Sequence, residues 1–375
     1  MLRNSSITTF IKIYVGSPFR YVIDTVRNYF YCKNITRTKT PTFAFHISKW
    51  KRPLFRLWFP DRHFRFFPLG MANYEKIRLF KFIQSVPNAE VMIWGCNTPT
   101  FFDQLSNNVF FIEDGFIRSL KLGAGHTPPL SITIDSQTPY FDATKASDLE
   151  NLLNSYDFQA HPELIERAKV VIQNLLKTGI SKYNHALPVI IKDVYGRKTR
   201  RRILVIGQVE DDASIRFGCM PMRTNNDLIR TAANENPDAQ ILFKPHPDVL
   251  NFHRSQVSDP KEVSHLCQIL DRDIPLAQAF ETIDHVYTLT SQAGFEALLR
   301  DIPVTILGSP FYSGWGLTDD RQLTHRRNRK LSKEELFAGA YILYPLYYDY
   351  RNNKQISIET AVLILEQSRH MRAQT

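Results

Sequence analysis

The chain has 375 residues, of which 43% are hydrophobic and 22% are charged. This length exceeds that of one typical domain, and the composition excludes a disordered chain, so we expect two domains with an additional terminal segment. The four cysteines are scattered, without a CxxC pair or zinc-like spacing. That pattern argues against a disulfide framework and favours a reducing cytoplasm.

Positive charge is concentrated at the start of the chain. Residues 1–67 contain thirteen Lys or Arg and two Asp, which accounts for the whole net charge of +10. The segment is rich in aromatic residues but has no apolar run of about 20 residues and no secretory signal pattern. We predict that it associates with an anionic membrane surface. Packing on the folded body is the alternative, and single-stranded nucleic acid is a more distant candidate partner.

Short apolar runs alternate with helical patterns in the first half of the chain. The apolar runs are typical of buried strands, and Ser147, three residues before Glu150, has the spacing of a capping box. We predict helices at 73–85, 147–154 and 162–178 and strands at 90–94, 108–112 and 130–134.

The same alternation resumes in the second half. A basic run at 198–202 predicts a solvated linker, and the strongest apolar run follows it directly. We predict strands at 202–209, 240–244, 285–290 and 303–307 and helices at 226–234, 277–282, 291–300 and 356–371.

Repeated strand and helix signals predict an α/β fold with parallel sheets and right-handed crossovers. The expected architecture is two Rossmann-like domains facing each other across a cleft, with ligands at the carboxyl ends of the strands. The predicted units are the basic, aromatic segment 1–67, a first Rossmann-like domain at 68–195, a second at 196–350, and a closing helix within 351–375.

Three consecutive carboxylates, Glu210, Asp211 and Asp212, lie where the predicted strand 202–209 gives way to a loop. Because like charges repel, at least one of them should have a raised pKa or a cationic partner. An acidic turn in which Asp212 caps the next helix explains the pattern equally well. No second cluster of carboxylates accompanies it, so we do not predict a metal site.

Lys244 and His246 follow the next predicted strand, in the sequence KPHP. Prolines on both sides give His246 a rigid backbone. Two residues apart in an extended segment, Lys244 and His246 should project the same way and offer positive charge and hydrogen-bond donors to a phosphate.

Ser291 and Gln292 open a predicted helix directly after a strand. Free N–H groups at a helix N-terminus attract anions, although helix capping alone explains Ser291. Glu296, one turn later, could accept hydrogen bonds from ribose hydroxyls or be a solvated side chain. With the His-Pro pair, this element is reminiscent of the residues that bacterial sialyltransferases use on CMP, and it points to a nucleotide-sugar donor.

Glu113 ends a predicted strand of the first half, and Arg118 lies shortly after it. From that position Glu113 would face the cleft, and Arg118 could meet an anionic sugar. A surface turn at Asp114-Gly115 explains the local pattern equally well.

Several segments together resemble the KpsC-type capsule polysaccharide β-Kdo transferases. They are EDGFIRS, PLSITID and YFDAT in the first half, and GQVEDDAS, KPHPDV, SQAGFEALL and PFYSGWGLTDD in the second. The resemblance runs from about Phe110 to Pro345, with the motifs in matching order. Residues 1–67 lie outside it, and this chain has one such module where the best-known members carry two.

The resemblance implies a GT-B-like, metal-independent and retaining transferase that uses CMP-β-Kdo as donor and needs no cofactor. It implies a carboxylate nucleophile, which we assign to Asp212 with Asp211 as the fallback. Glu113 would be the acid/base, and the first domain would hold the acceptor. The remaining candidate site residues contact the donor: His246, Lys244, Ser291 and Gln292 at the phosphate, Gln208 and Arg118 at the sugar, and Glu296 at the ribose.

The expected acceptor is a capsule or related surface glycan or glycolipid at the cytoplasmic face of the inner membrane, where the capsule assembly machinery is a candidate partner. Nucleic acid is not an expected partner. Another CMP-ulosonic acid, such as CMP-sialic acid, is an alternative donor. A non-catalytic scaffold for capsule assembly is the alternative outside enzymes.

Overall fold

The computed structural model describes residues 16–35, 38–69, 73–96, 102, 104–105, 107–120, 126–250 and 257–374. The described strands form two sheets in a mixed α/β arrangement. In chain order the strands are β1 (Thr40–Phe45), β2 (Arg62–Phe66), β3 (Glu90–Trp94), β4 (Asn108–Asp114), β5 (Ser131–Asp135), β6 (Arg202–Ile206), β7 (Gln240–Lys244), β8 (Gln268–Ile269), β9 (His285–Thr288), β10 (Val304–Ile306), β11 (Asp319–Asp320), β12 (Pro345–Asp349) and β13 (Lys354–Ile356).

Helices flank these strands, and one of them ends in a π-helical turn at Ala338–Leu343. The described α-helices are α1 (Gly16–Lys33), α2 (Arg52–Trp58), α3 (Asn73–Ser85), α4 (Asp148–Ser155), α5 (Pro162–Thr178), α6 (Ile191–Tyr195), α7 (Ala213–Gly218), α8 (Asn225–Glu235), α9 (Pro247–Leu250), α10 (Leu276–Ala279), α11 (Gln292–Leu298), α12 (Lys333–Phe337) and α13 (Ile358–Gln374). Among the described helices, none combines the length and hydropathy needed to cross a bilayer.

The second sheet is parallel throughout, in the order β11-β10-β9-β6-β7-β8. All five residues of β6 are buried, as expected for a central strand covered on both faces. The chain leaves β6 toward β7 on one side and later returns to β9 on the other side. The strand order therefore reverses at β6, which creates a crevice at the carboxyl ends of β6 and β9.

The first sheet is mixed, in the order β13-β12-β5-β4-β3-β1-β2, so the prediction of a parallel sheet is wrong for this half. β4 pairs antiparallel with β5, and β12 pairs antiparallel with both β5 and β13. A parallel return needs a crossover, usually a helix, and the described residues between β4 and β5 contain none. An apolar run shows that a strand is buried but not which direction it takes.

The basic segment predicted to be an appendage is largely part of the first sheet. β1 lies between β2 and β3, and the Phe55 side chain of α2 is fully buried against other aromatic rings. Lys51 is buried with its ammonium 3.0 Å from the ring centre of Trp94. The domain boundary at residue 67 is therefore wrong, because basic side chains here cover aromatic faces of the folded body. Residues 1–15 lie outside the described part.

The end of the chain returns to the first sheet. β12 and β13 extend that sheet beyond β5, and α13 contacts α5 and β12. The predicted second domain at 196–350 thus includes a strand of the first sheet, and the predicted closing helix begins after β13. The local pattern predicted the closing helix closely, but it indicated neither β12 nor β13, and it carried no information about which sheet a late strand would join.

Replacing Phe55 tests whether this early segment belongs to the fold. We expect Phe55→Ala to lower the free energy of unfolding by about 3–5 kcal/mol, because the side chain is 0% exposed and its removal leaves a cavity. Phe30→Ala is the matched control, since Phe30 is 54% exposed and should cost less than about 0.5 kcal/mol. Urea titration measures both values. If both variants lost the same free energy of unfolding, that result would contradict the packing of this segment into the fold.

Candidate functional site

A cavity of about 940 Å³ lies at the ends of strands from both sheets. Glu113 of β4 and Tyr140 after β5 line it from the first sheet. The loops after β6, β7, β8 and β9 line it from the second sheet. The end of α5 and the connection from α5 to α6 complete the wall, with residues 176–179 and 181–188. The reversal of strand order at β6 thus opens into a pocket that both halves of the chain share.

Gly207, directly after β6, allows the close approach of β7. Its N–H donates to the Lys244 carbonyl at 2.8 Å. A Cβ atom at this position would lie 2.7 Å from the Phe243 ring and 3.1 Å from the Lys244 carbonyl oxygen. Glycine is needed here because any side chain would push the two strand ends apart.

The three consecutive carboxylates have three different environments. Glu210 is buried and accepts hydrogen bonds from the backbone N–H groups of Asn225, Val257 and Ser258 and from the Ser258 hydroxyl. Its charge is stabilised by these neutral donors, so the predicted repulsion is relieved without a cation. Glu210 therefore holds the loop in place.

Asp212 is the member of the acidic run that lines the pocket. It caps α7, and its Oδ1 accepts hydrogen bonds from the N–H and the hydroxyl of Ser214, at 2.9 and 2.8 Å. Asp211 is exposed and does not line the pocket. The capping role and the site role predicted for Asp212 are compatible, because both hydrogen bonds use the same oxygen.

Gln208 connects the loops that follow β6 and β9. Its amide oxygen accepts from the Thr290 N–H at 2.8 Å, and its amide nitrogen donates to the Thr290 hydroxyl at 3.0 Å. Its backbone is tied in turn to the Asn225 side chain by two hydrogen bonds. Gln208 lines the pocket as predicted, but much of its hydrogen-bonding capacity is used in holding the crevice together.

Lys244 and His246 both line the pocket at the end of β7. The Lys244 ammonium is buried and lies 3.8 Å from Oδ1 of Asp273, whose Oδ2 lies 2.6 Å from Nε2 of His185. Burial lowers the pKa of Lys244, and Asp273 opposes that shift. The predicted cation is therefore present, and a carboxylate that the sequence analysis did not single out holds it.

His246 has one ring nitrogen fixed by the protein. Its Nδ1 lies 3.1 Å from the Asp248 N–H and accepts that hydrogen bond. Burial lowers the pKa of His246, which favours the neutral ring. A neutral ring that accepts at Nδ1 carries its proton on Nε2, so Nε2 is the nitrogen that can donate to a ligand.

Ser291 and Gln292 line the pocket at the start of α11, but their side chains are engaged by the protein. The Ser291 hydroxyl caps the helix at the Ala293 N–H, 3.2 Å away. The Gln292 amide nitrogen donates to the Phe116 carbonyl and the Tyr341 hydroxyl, both at 2.9 Å. The predicted donation from the Gln292 side chain to a phosphate is therefore not available in this conformation.

Two carboxyl groups in the pocket, one half-buried and one buried, have raised pKa values. Burial raises the pKa of Glu113 to about 7, and repulsion from Asp114 adds to the shift while Lys51 and Lys182 oppose it. Burial likewise raises the pKa of Glu296 to about 7, against the effect of Arg300. Groups that titrate near neutrality can both donate and accept protons, and such groups are common at catalytic sites.

Arg118 does not reach the pocket. Its side chain is 1% exposed, with Nε 2.7 Å from Oδ2 of Asp114 and Nη1 2.7 Å from the Ser119 hydroxyl. Burial would raise the pKa of Asp114, but Lys51 and Arg118 outweigh burial and lower it. The expected contact between Arg118 and a sugar is thus wrong, because Arg118 neutralises a buried carboxylate instead.

The pocket also contains residues that the motifs did not indicate. Lys182 and His185 come from the segment between α5 and α6, Asp273 follows β8, and Tyr140 follows β5. Burial raises the pKa of Tyr140 well above its usual value, and the nearby charges of Glu113 and Asp212 add to the shift. The basic and aromatic pattern SKYNH at 181–185 was the available signal, but only the folded chain brings it to the strand ends.

The arrangement combines an ionisable carboxyl group on each side with the ammonium of Lys244 and the imidazole of His246 at the end of β7. Among the described residues, no three or more His, Cys, Asp or Glu side chains are grouped as metal ligands. The fold and this pocket define an α/β protein with a large cavity between two sheets.

The family of the chain follows from comparison with known proteins. The family model described as "Capsule polysaccharide biosynthesis protein" matches residues 98–353. The chain belongs to this family of capsule polysaccharide biosynthesis proteins.

Individual relatives cover most of the chain. The lipopolysaccharide-processing protein LpsZ of Rhizobium meliloti is 43% identical over 325 residues, which are 86% of this chain and 73% of LpsZ. The capsule polysaccharide modification protein LipA of Neisseria meningitidis serogroup A is 34% identical over 331 residues, which are 87% of this chain. The chain spans about half the length of LipA, of which 45% is matched.

Two solved structures, both from Thermosulfurimonas dismutans KpsC, are similar to this one. The structure titled beta Kdo 2,7 transferase has a TM-score of 0.68 and 33% identity, covering 88% of this chain and 99% of its own. The structure titled beta Kdo 2,4 transferase has a TM-score of 0.72 and 30% identity. The match covers 87% of this chain and 98% of that structure's chain.

Replacing Glu210 tests whether it has a structural role. Glu210→Gln places an amide N–H₂ group against hydrogen-bond donors, so one pair of buried donors loses its acceptor. We expect the free energy of unfolding to fall by about 1–3 kcal/mol. Asp211→Asn, at the neighbouring exposed position, should change it by less than about 0.5 kcal/mol. Urea titration measures both variants, and equal stability of the two would count against this role.

Proposed function

We propose that the chain is a retaining β-Kdo glycosyltransferase that transfers Kdo from CMP-β-Kdo to a capsule or related surface-glycan acceptor. The observation that carries the proposal is the shared pocket, in which Glu113 from the first sheet and Asp212, Lys244 and His246 from the second line one cavity. The identity to two solved KpsC Kdo transferases supports the choice of sugar.

The phosphate of CMP binds at the end of β7 in this proposal. The ammonium of Lys244 supplies a positive charge, and Nε2 of His246 supplies a hydrogen-bond donor. Both groups are held before the donor arrives, by Asp273 and by the Asp248 N–H. Donors fixed in advance stabilise the charge that develops on a departing phosphate, so the proposed reaction is metal-independent and uses no cofactor.

Asp212 acts as the nucleophile in the first step. One of its oxygens attacks the anomeric carbon of Kdo while the bond from that carbon to the phosphate oxygen breaks, and CMP leaves with the electron pair. The product is an ester between Kdo and Asp212, with inverted configuration, as in retaining glycosidases. Capping of α7 by Oδ1 fixes the carboxylate, which supports this choice over the exposed Asp211.

Glu113 acts as the base in the second step. It takes the proton of the acceptor hydroxyl as the hydroxyl oxygen attacks the anomeric carbon and the ester to Asp212 breaks, which restores the original configuration. Because burial raises the pKa of Glu113 to about 7, its ionised fraction increases as the pH rises through neutrality. The base is thus available above about pH 7 and is lost below it.

The other pocket residues have supporting roles in the proposal. Glu296 accepts hydrogen bonds from the ribose of CMP, and the backbone at Ser291 and Gln292 lies beside the phosphate. Gln208 shapes the crevice and has limited capacity left for the sugar, since its amide is already paired with Thr290. The acceptor glycan or glycolipid approaches from the first sheet.

Intact-protein mass spectrometry after incubation with CMP-Kdo, without acceptor, tests the proposal. We expect the wild-type protein to gain the mass of one Kdo, because the second step cannot proceed. Asp212→Ala should gain none, since it lacks the attacking oxygen. Asp211→Ala is the matched control and should gain one Kdo.

The other outcomes separate the alternatives. An adduct lost in Asp211→Ala and kept in Asp212→Ala would reverse the assignment of the nucleophile. CMP release without an adduct would contradict the two-step mechanism. An adduct with CMP-sialic acid and none with CMP-Kdo would change the donor. Binding of neither nucleotide sugar would favour a scaffold in capsule assembly.

We further propose that the enzyme works at the cytoplasmic face of the inner membrane and attaches to it through α1. Val26, Tyr29 and Phe30 are exposed and lie on one face of this helix. On another face Tyr31 is buried, and its hydroxyl donates to the His63 carbonyl at 2.7 Å, which docks the helix on β2. Exposed aromatic residues in a basic segment are typical of binding at a lipid headgroup layer, and capsule assembly proteins remain candidate partners there.

Sedimentation with phosphatidylglycerol vesicles tests this attachment. Deleting residues 1–67 would remove β1 from the first sheet, so point substitutions are the appropriate change. We expect Tyr29→Ser with Phe30→Ser to weaken vesicle binding about tenfold or more, because two aromatic side chains no longer enter the interface. Leu323→Ser, at a residue 70% exposed on the second half, is the control and should bind as the wild type does. Unchanged sedimentation of the double variant would refute attachment through α1.

A further inference from the structure

Lys182 lines the pocket from the segment between α5 and α6, and its backbone is fixed to the first half of the chain. The Ser119 N–H donates to the Lys182 carbonyl at 3.3 Å, and Ser119 forms a parallel β-bridge with Tyr183. The Asn184 side chain donates to the Ser119 carbonyl at 3.2 Å. These contacts hold the base of the Lys182 side chain at the pocket wall.

The Lys182 side chain is half-buried, and no carboxylate among the described residues lies within 4.0 Å of its ammonium. Two other pocket cations differ in this respect. Lys244 faces Asp273 at 3.8 Å, and Arg300 lies 4.0 Å from Glu296. A half-buried ammonium at the wall of a cavity has given up part of its hydration without gaining an ion pair, so it favours an anionic ligand.

The charge of Lys182 acts on groups from both halves of the pocket. It stabilises the ionised forms of Glu113 and Glu296, and it opposes protonation of His246. Lys182 therefore lines the same cavity as the proposed base and the proposed phosphate site, close enough for its charge to act on both. An anionic group of a ligand that is held by the Lys182 ammonium would therefore lie near Glu113 and near the phosphate site at His246.

A cation at this place suits the chemistry of a 2-ulosonic acid. The anomeric carbon of such a sugar carries a carboxylate and, in the CMP donor, also the phosphate oxygen that leaves. A group that binds the carboxylate must therefore lie beside the phosphate site and also near the groups that act on the anomeric carbon. Arg118, expected from the sequence to meet the anionic sugar, is buried against Asp114 and cannot do so.

We propose that Lys182 binds the carboxylate of the donor sugar and thereby selects 2-ulosonic acids over aldose donors, which lack this group. The assignment rests on the proposed transferase function. An aldose donor would leave the Lys182 ammonium half-buried and without an anion, and that unfavourable state adds to the discrimination. Lys244 and His246 would bind the phosphate of either class of donor, so the choice of sugar depends on Lys182.

Steady-state kinetics with CMP-Kdo and equilibrium binding of CMP test this assignment. Lys182→Met keeps most of the side-chain length and removes the charge. We expect it to raise the KM for CMP-Kdo about 10- to 100-fold, the effect of losing a charged hydrogen bond. Its affinity for CMP, which has no sugar carboxylate, should stay within about twofold of the wild type. Lys182→Arg should recover part of the loss, because it restores the charge.

Lys192→Met is the control for a general loss of positive charge, since Lys192 is exposed in the same connection between the two halves and does not line the pocket. It should behave as the wild type does. Thermal unfolding checks that each variant is folded. If Lys182→Met does not fold, Lys182→Gln replaces it in the same measurements.

An unchanged KM for Lys182→Met with an active wild type would overturn the assignment of Lys182 alone. An equal loss of affinity for CMP and for CMP-Kdo would also overturn it, since that result identifies a phosphate ligand. A wild-type protein that binds CMP but neither transfers Kdo nor forms an adduct would overturn the proposed function, and the assignment of Lys182 with it.

Discussion

The site depends on the contact that joins the loop after β4 to the second half of the chain. Phe116 stacks on Tyr341 with ring centres 4.9 Å apart and packs on Phe311 at 4.7 Å. Its carbonyl accepts a hydrogen bond from the Gln292 side chain at the start of α11. This junction is buried and mostly aromatic, so it fixes the end of β4 against the end of β9. It thereby helps to bring the two proposed catalytic carboxylates to one cavity.

Buried polar residues around the pocket divide into those that build it and those that have capacity left for a ligand. Glu210, Gln208 and Arg118 satisfy neighbouring protein groups with most of their donors or acceptors. Asp212 and Lys182 are less fully engaged, and both line the cavity. Burying a polar group without a partner is unfavourable. Hydrogen bonds within the protein offset that cost for Glu210, Gln208 and Arg118, whereas Asp212 and Lys182 can still bind a ligand.

Local sequence patterns predict some features of this fold and not others. The predicted strand at 90–94 and helix at 162–178 match β3 and α5 in full, because apolar periodicity reports directly on burial. The basic segment was predicted to be a unit separate from the folded domains, but its strands belong to the first sheet, since a composition rich in Lys, Arg and aromatic residues suits a membrane surface and also a folded face with stacked cations. Among the candidate site residues, Asp212 and His246 were singled out by their positions after strands and do line the cavity, whereas Arg118 does not.

The sequence by itself determined the positions of the main strands and helices between residues 73 and 307, the motif order that identifies the family, and the strand ends where polar residues collect. These features depend on neighbours within a few residues. Only the tertiary structure decided that β12 joins the first sheet, that Glu210 is structural, and that Lys182 rather than Arg118 reaches the pocket. Each of those outcomes depends on groups far apart in the chain, whose burial and pairing arise only when the two halves pack together.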